Sequence, residues 1–317
     1  SNALSYPLQP LRAGAAARDL NIVVLVVESW RADMLDPEIM PKLSAFAARS
    51  ANFRDHFSGG NGTRMGMFSI FYGLPGSYWF PFLAERRSPV LMDLLQQRNY
   101  QIELYTSARF TYPEFDHTLF AHVPTAQMHE APEAEGWKGD RVNVAQMLKG
   151  IDARDPTRPF MGFMFFESPH ARYGFPDDAI IRRPYLEDMD YAELNLDRDI
   201  ELIRNRYINS CHHLDQQIGY VLDHLEQTGL LDSTIVVVTG DHGEEFMEHG
   251  RWGHNSAFTD EQVRTPLVIH VPGRQPSVID TMSSHLDIAP TLLTALGIEN
   301  PPGDYSLGFD LFGPPSR

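Results

Sequence analysis

Hydrophobic positions recur along this chain with two periods. Leu20 to Glu28 is an apolar, largely β-branched run, the pattern of a strand buried on both faces. Thr234 to Thr239 and Pro266 to Val271 repeat that pattern, Pro159 to Glu167 reads as an apolar strand, and Gln101 to Thr106 is extended. Between them, helical spacing marks Pro41 to Ser50, Met65 to Tyr72, Pro89 to Arg98, Val142 to Ile151, Ile200 to Gln227 and Leu286 to Leu296. Strands alternating with helices predict an α/β fold, a largely parallel central sheet flanked by helices on both faces. The segment Ala171 to Asp199, rich in charge, Pro and Tyr, breaks the alternation. It is too long for an ordinary connection and reads as a lid-like insertion or a solvated surface excursion.

The chain opens Ser1-Asn2-Ala3, the scar of an expression tag, and continues Pro- and Ala-rich to about Arg18. Residues 1–18 are therefore set apart as tag remnant and linker, and 19–317 as one domain. Ile22 to Val27 is the longest strongly apolar run, far short of the ~20 residues that cross a bilayer.

Charge narrows the partners. With 26 Lys plus Arg against 42 Asp plus Glu, a net −16, the chain lacks the clustered cations that hold a phosphate backbone, so no nucleic acid is expected. The lone Cys211 excludes an intrachain disulfide and a Cys-rich zinc site.

Ligands of open α/β sheets collect at the carboxyl ends of the strands. Three predicted strand ends carry Glu28-Ser29, Glu167-Ser-Pro-His170 and Gly240-Asp241-His242-Gly243-Glu244. A single acid at a strand end is ordinary, but the adjacent Asp241 and His242 place oxygen and nitrogen donors where both can face one divalent cation. The Gly-rich Ser58-Gly-Gly-Asn-Gly-Thr63-Arg64 leads into a helix. Glycines let backbone approach a ligand and the helix start suits an anion; Thr63 either meets that anion or caps the helix internally. Of the thirteen histidines, His170 and His254 are the better candidates, each following a strand end, whereas His212 and His213 read as plain surface or core residues of the long helix and His117, His122, His129 and His224 have no motif around them.

Taken in order, Tyr207 to Gly219, Gly229 to Val236, Gly240-Asp-His-Gly-Glu244, Arg264-Thr-Pro266 and Ser284-His-Leu-Asp287 resemble the sulfatase and alkaline-phosphatase superfamily. Glu28-Ser-Trp-Arg-Ala-Asp33, Ser58 to Thr63 and Phe71 to Ser77 are similar to the periplasmic domains of sulfatase-like inner-membrane proteins of the YejM (PbgA) type in Gram-negative bacteria. A sulfatase carries a Cys or Ser, matured to formylglycine, ten residues before the Gly that closes the following helix; here that residue is Thr63, and Met67 replaces the expected basic residue. The resemblance therefore implies the chemistry of the threonine-using, phosphoryl-transferring branches. Carried over, Glu28, Thr63, Asp241 and His242 would hold one divalent metal (Mn²⁺, Mg²⁺ or Zn²⁺), Thr63 would be the nucleophile, and His170, His254 and Arg64 would face phosphate. The implied partners are a phosphoester or lipid head group, the membrane through N-terminal helices outside this chain, and a membrane protein. The same resemblance also implies an alternative, a non-catalytic regulator of lipopolysaccharide and envelope lipid balance.

Overall fold

The computed structural model describes residues 4–15, 17–131, 134, 136–170 and 172–314. Ser1-Asn2-Ala3, and Ala171 where the insertion was expected to begin, lie outside the described residues.

The central sheet has eight strands: β1 (Asn21–Val27), β2 (Ala51–Phe53), β3 (Gln101–Thr106), β4 (Met128–Glu130), β5 (Phe160–Phe166), β6 (Thr234–Gly240), β7 (Leu267–His270) and β8 (Ser277–Ile279). They lie in the order β8-β2-β7-β6-β1-β5-β3-β4, and only β7 runs antiparallel to its neighbours. β5 and β6 are buried along their whole length and β1 from Ile22 onward, which is why these strands are near-continuous apolar runs rather than alternating ones.

Alternation survives inside β1 as a division between two cores. Ile22, Val24 and Val26 face a core completed by α2 (Thr63–Tyr72), α3 (Trp79–Glu85), α4 (Val90–Gln97) and α7 (Ile288–Ala295). Val23, Leu25 and Val27 face the opposite core, under α1 (Pro41–Ala48), α5 (Gly136–Ala153) and α6 (Leu196–Gln227). The sheet is thus sandwiched between helices, as the pattern predicted.

The amino-terminal stretch set apart as linker is packed onto the domain where it is described. Tyr6 stands edge-on to Phe82 at 5.0 Å, its hydroxyl accepts from the Val90 amide at 2.8 Å, and Ala13 forms an antiparallel bridge with Ile298. A run rich in Pro and Ala gives no periodicity, so its docking was not readable. The described part of the insertion is mostly irregular, with one turn of 3-10 helix at Asp177–Ala179, and its Tyr173 is buried beneath it.

Asp215 of α6 shows how the second core is tied. Its carboxylate accepts the Lys42 and Leu43 amides at 2.9 and 2.8 Å, capping the start of α1 from another element. Burial pushes its pKa up to about 6 against those hydrogen bonds. The folded state therefore holds the proton more tightly than the unfolded chain, and stability from this group falls as pH rises from about 4 to about 6. Asp215→Asn should flatten that slope by on the order of 3 kcal/mol, read as the wild-type minus variant difference in urea unfolding between pH 4 and pH 7. Parallel profiles for the two proteins would refute it.

Candidate active site

Strand register builds the site. Val27 lies level with Phe166 of β5 and Gly240 of β6, so the next residues, Glu28, Glu167 and Asp241, form a row across three adjacent strands. The Glu28 amide donates to the Phe166 carbonyl at 2.9 Å and the Asp241 amide to the Val27 carbonyl at 3.1 Å, carrying the ladder one step past the strands. Ser29 then turns sharply, with φ at +56°, and its amide donates to Asp241 Oδ1 at 3.0 Å.

Helix α2 enters from the other side. Its N-cap is Gly62 and Thr63 is its first helical residue, so the threonine does not cap. Its hydroxyl donates instead to Glu28 Oε1 at 3.1 Å. Gly66, one turn on, makes that approach possible, because a Cβ there would lie 2.1 Å from the Asp241 carbonyl oxygen. Gly66→Ala must displace backbone on one side. We expect a loss of about 1–3 kcal/mol, seen as a lower melting temperature, and a Tm equal to wild type would show that the helix seats elsewhere.

Electrostatics in the row are unbalanced. Glu28 is 7% exposed and Asp241 and His242 are fully buried. Burial, then the neighbouring Asp241 and Glu167, push the Glu28 carboxyl well above its usual range, and the Thr63 hydroxyl offsets part of this. Burial raises Asp241 to about 6, with Thr63 and the Ser29 amide pulling the other way. Burial and His254 push His242 down to about 3, so it is neutral. Its Nδ1 sits 2.7 Å from the Gly243 carbonyl, which can only accept, so Nδ1 carries the hydrogen and Nε2 presents a lone pair. Buried Asp241 Oδ2 and His242 Nε2 are 3.3 Å apart and neither has a hydrogen-bond partner.

Orphaned buried acceptors such as Asp241 Oδ2 and His242 Nε2, beside a buried carboxylate, are the environment a divalent cation completes. Ligand atoms of Glu28, His242 and His254 lie within 4.8 Å of one another. That compact group differs from the sequence expectation by including His254, while Asp241 Oδ2 faces His242 beside it.

The remaining expected residues converge on the same place. His170 Nε2 is 3.3 Å from Glu28 Oε1, and the rings of His170 and His242 lie 5.9 and 4.1 Å from that of His254. Burial and then His254 lower the His170 pKa. Burial works against the His254 charge as well, but the hydrogen bond and charge of Glu244 outweigh it, and the His254 pKa is raised. Arg64 lies on the wall of the cleft over Thr63, a space of about 470 Å³ that Glu28, His170, His254 and Asn255 also line.

Three participants escaped the sequence reading. Glu244 stood only as the last letter of a motif, yet its Oε1 takes His254 Nδ1 at 2.8 Å while its Oε2 accepts from the Tyr173 hydroxyl, itself bound by Trp252 Nε1 at 3.1 Å. Tyr173 comes from the insertion, which ties that segment to the site. Arg109 and Tyr112 line the cleft from a loop without pattern. Asp33 belongs elsewhere, in an ion pair with Arg31, and His285 is buried beside Ser69, 3.4 Å from its hydroxyl.

Comparison with known proteins bears on the family and the fold. The chain is 27% identical to the inner membrane protein YejM of Salmonella typhi, over 99% of this chain and 48% of that protein. It is 26% identical to an uncharacterized protein of Haemophilus influenzae, over 98% and 46%. It thus spans about half the length of the curated relatives it matches. Among the described residues no helix is long and apolar enough to cross a membrane. The fold is similar to the lipoteichoic acid synthase LtaP of Listeria monocytogenes (TM-score 0.72, 18% identity, 95% of this chain and 78% of that one). It is also similar to the soluble domain of lipooligosaccharide phosphoethanolamine transferase A of Neisseria meningitidis (TM-score 0.71, 17% identity, 91% of each). The sequence model described as Sulfatase matches residues 20–298, and the chain belongs to that family.

Proposed function

We propose that this domain is a metal-dependent phosphoester hydrolase or phospho-group transferase that uses Thr63 as nucleophile. The observation that carries the reading is the Thr63 hydroxyl, which does not cap its helix and points at Glu28, a carboxyl buried beside Asp241. A threonine stands where a sulfatase requires its modified residue, which favours phosphate over sulfate esters.

Glu28, Asp241 and His242, with Thr63 at the margin, would hold one Mn²⁺, Mg²⁺ or Zn²⁺. When bound, that ion lowers the pKa of a nearby hydroxyl and neutralises charge on the transferring group. The chain's own groups divide the remaining work. Thr63 Oγ1 forms the new bond to phosphorus as the bond to the leaving oxygen breaks, giving phosphothreonine, and its proton passes toward Glu28 Oε1. His254 is locked at Nδ1 by Glu244, which leaves Nε2 for the phosphate oxygens or for giving a proton to the leaving group. His170, nearer neutral, offers a second nitrogen to the equatorial oxygens. Water acting on phosphothreonine completes hydrolysis, and an acceptor hydroxyl completes transfer.

Similarity to the inner membrane protein YejM, over about half of that protein's length, supports placement at an inner membrane; a periplasmic position and a lipid head group as substrate are part of this proposal. At −16 the domain itself would not adhere to an anionic surface. Turnover of 4-nitrophenyl phosphate and of bis(4-nitrophenyl) phosphate, measured with each of the three metals, tests the reading. Metal-dependent release is expected, and no release with any metal would favour the regulatory role.

A further inference from the structure

The cleft over Thr63 has a second half that the phosphoryl chemistry leaves unused. Arg64, Arg109, Tyr112, Pro113 and Phe115 line it. In this acid-rich chain arginines usually find carboxylates, as Arg31 does with Asp33 and Glu248, Arg87 with Asp93 and Arg264 with Asp55. Among the described residues, neither Arg64 nor Arg109 has such a partner. The Arg64 guanidinium carbon is 5.5 Å from the ring centres of Trp79 and Tyr112 and 5.9 Å from that of Phe80, and its Nε is buried without a hydrogen-bond partner. Rings hold the group in place without using its N–H donors. Those donors form a rigid fork that suits the paired oxygens of a phosphate. Arg109 is exposed on the same cleft and adds a second cation with no salt bridge among the described residues.

We propose that Arg64 and Arg109 form a second anion subsite, so that the preferred substrate carries another phosphate group beside the one Thr63 attacks. The class is a bisphosphorylated or diphosphate-bearing ester rather than a simple monoester. The proposal rests on the phosphoryl-transfer reading only for the placement of the first phosphate. A carboxylate, Glu167, also lines the cleft, but it belongs to the acidic row next to Glu28.

Two measurements test it. In metal-stripped protein, calorimetric titration with pyrophosphate should show binding that weakens about tenfold in Arg109→Ala and at least as much in Arg64→Ala. With metal, kcat/KM for 1,3-phenylene bisphosphate relative to phenyl phosphate should favour the bisphosphate, and Arg109→Ala should lower that ratio about tenfold. Arg64→Lys keeps charge without the fork and should also lower it. Unchanged pyrophosphate affinity together with an unchanged ratio in both arginine variants overturns the subsite. If no ester is turned over yet pyrophosphate binding depends on both arginines, the subsite stands and the phosphoryl-transfer reading falls. If turnover occurs without arginine dependence in either measurement, the subsite falls alone.

Discussion

Thr63→Ala should lower metal-dependent turnover of an aryl phosphate by at least about 10³-fold while leaving the fold almost untouched. The alanine removes a hydroxyl that donates to Glu28 Oε1 and also acts on the neighbouring Asp241, and it removes no cap, because Gly62 occupies that position. Its melting temperature should therefore stay within about 2 °C of wild type, the range for a half-buried side chain outside the core. Thr63→Ser keeps the nucleophilic oxygen and should retain turnover within about tenfold. Acid-quenched wild type should yield a phosphorylated peptide containing Thr63, and the alanine variant none. Equal rates in wild type and Thr63→Ala would sink Thr63 as nucleophile.

His242 and His254 divide by partner rather than by type. His242 is kept neutral by burial and its carbonyl partner, whereas His254 is biased toward its charged form by Glu244. Only one of the two can readily give up a proton near neutral pH, and it is the one exposed to the cleft. Tyr173 and Trp252 brace Glu244 from the insertion side, so a disturbance of that segment should reach catalysis through the orientation of His254.

What could be read from the sequence follows from how local each signal is. β1, β5 and β6 were legible because a strand buried on both faces must be apolar throughout, whatever it pairs with. The site was legible where chemistry sits at a strand end or a Gly-rich turn, which brought out Glu28, Thr63, His170, Asp241, His242 and His254. β2, β4 and β8 are three residues each and carry no period of their own; partners distant in sequence define them. α3 hides its helical spacing behind an aromatic-rich stretch containing Pro81. Glu244 was visible as a residue but not as a role, since its bond to His254 depends on how the chain returns after residue 244. The arginine half of the cleft is the most distant case, because Arg109 and Tyr112 reach Arg64 only after the sheet has brought two unpatterned loops together.

The acidic row makes a second strong claim, about stability rather than rate. Metal-stripped protein buries Glu28 and Asp241 side by side with Glu167 near them, and among the described residues the salt bridges to Glu28 and Asp241 come from the imidazoles of His170 and His242. A divalent ion at about 100 times its Kd should stabilise the fold by about 2.7 kcal/mol, a rise in melting temperature of roughly 5 °C for a domain of this size. Asp241→Asn separates this claim from a general salt effect. The asparagine can keep its oxygen on the Ser29 and His242 amides and can turn its NH₂ toward the unpartnered His242 Nε2, 3.3 Å from the present Oδ2. It also removes a buried like charge beside Glu28. The stripped variant should therefore melt above stripped wild type, by a few degrees, and should lose most of the metal-induced rise. Asp33→Asn, at an acid paired with Arg31 away from the row, should keep that rise. A metal response of equal size in wild type and Asp241→Asn would place the ion elsewhere, and a stripped variant that melts below stripped wild type would show that the row is not held together against its own repulsion.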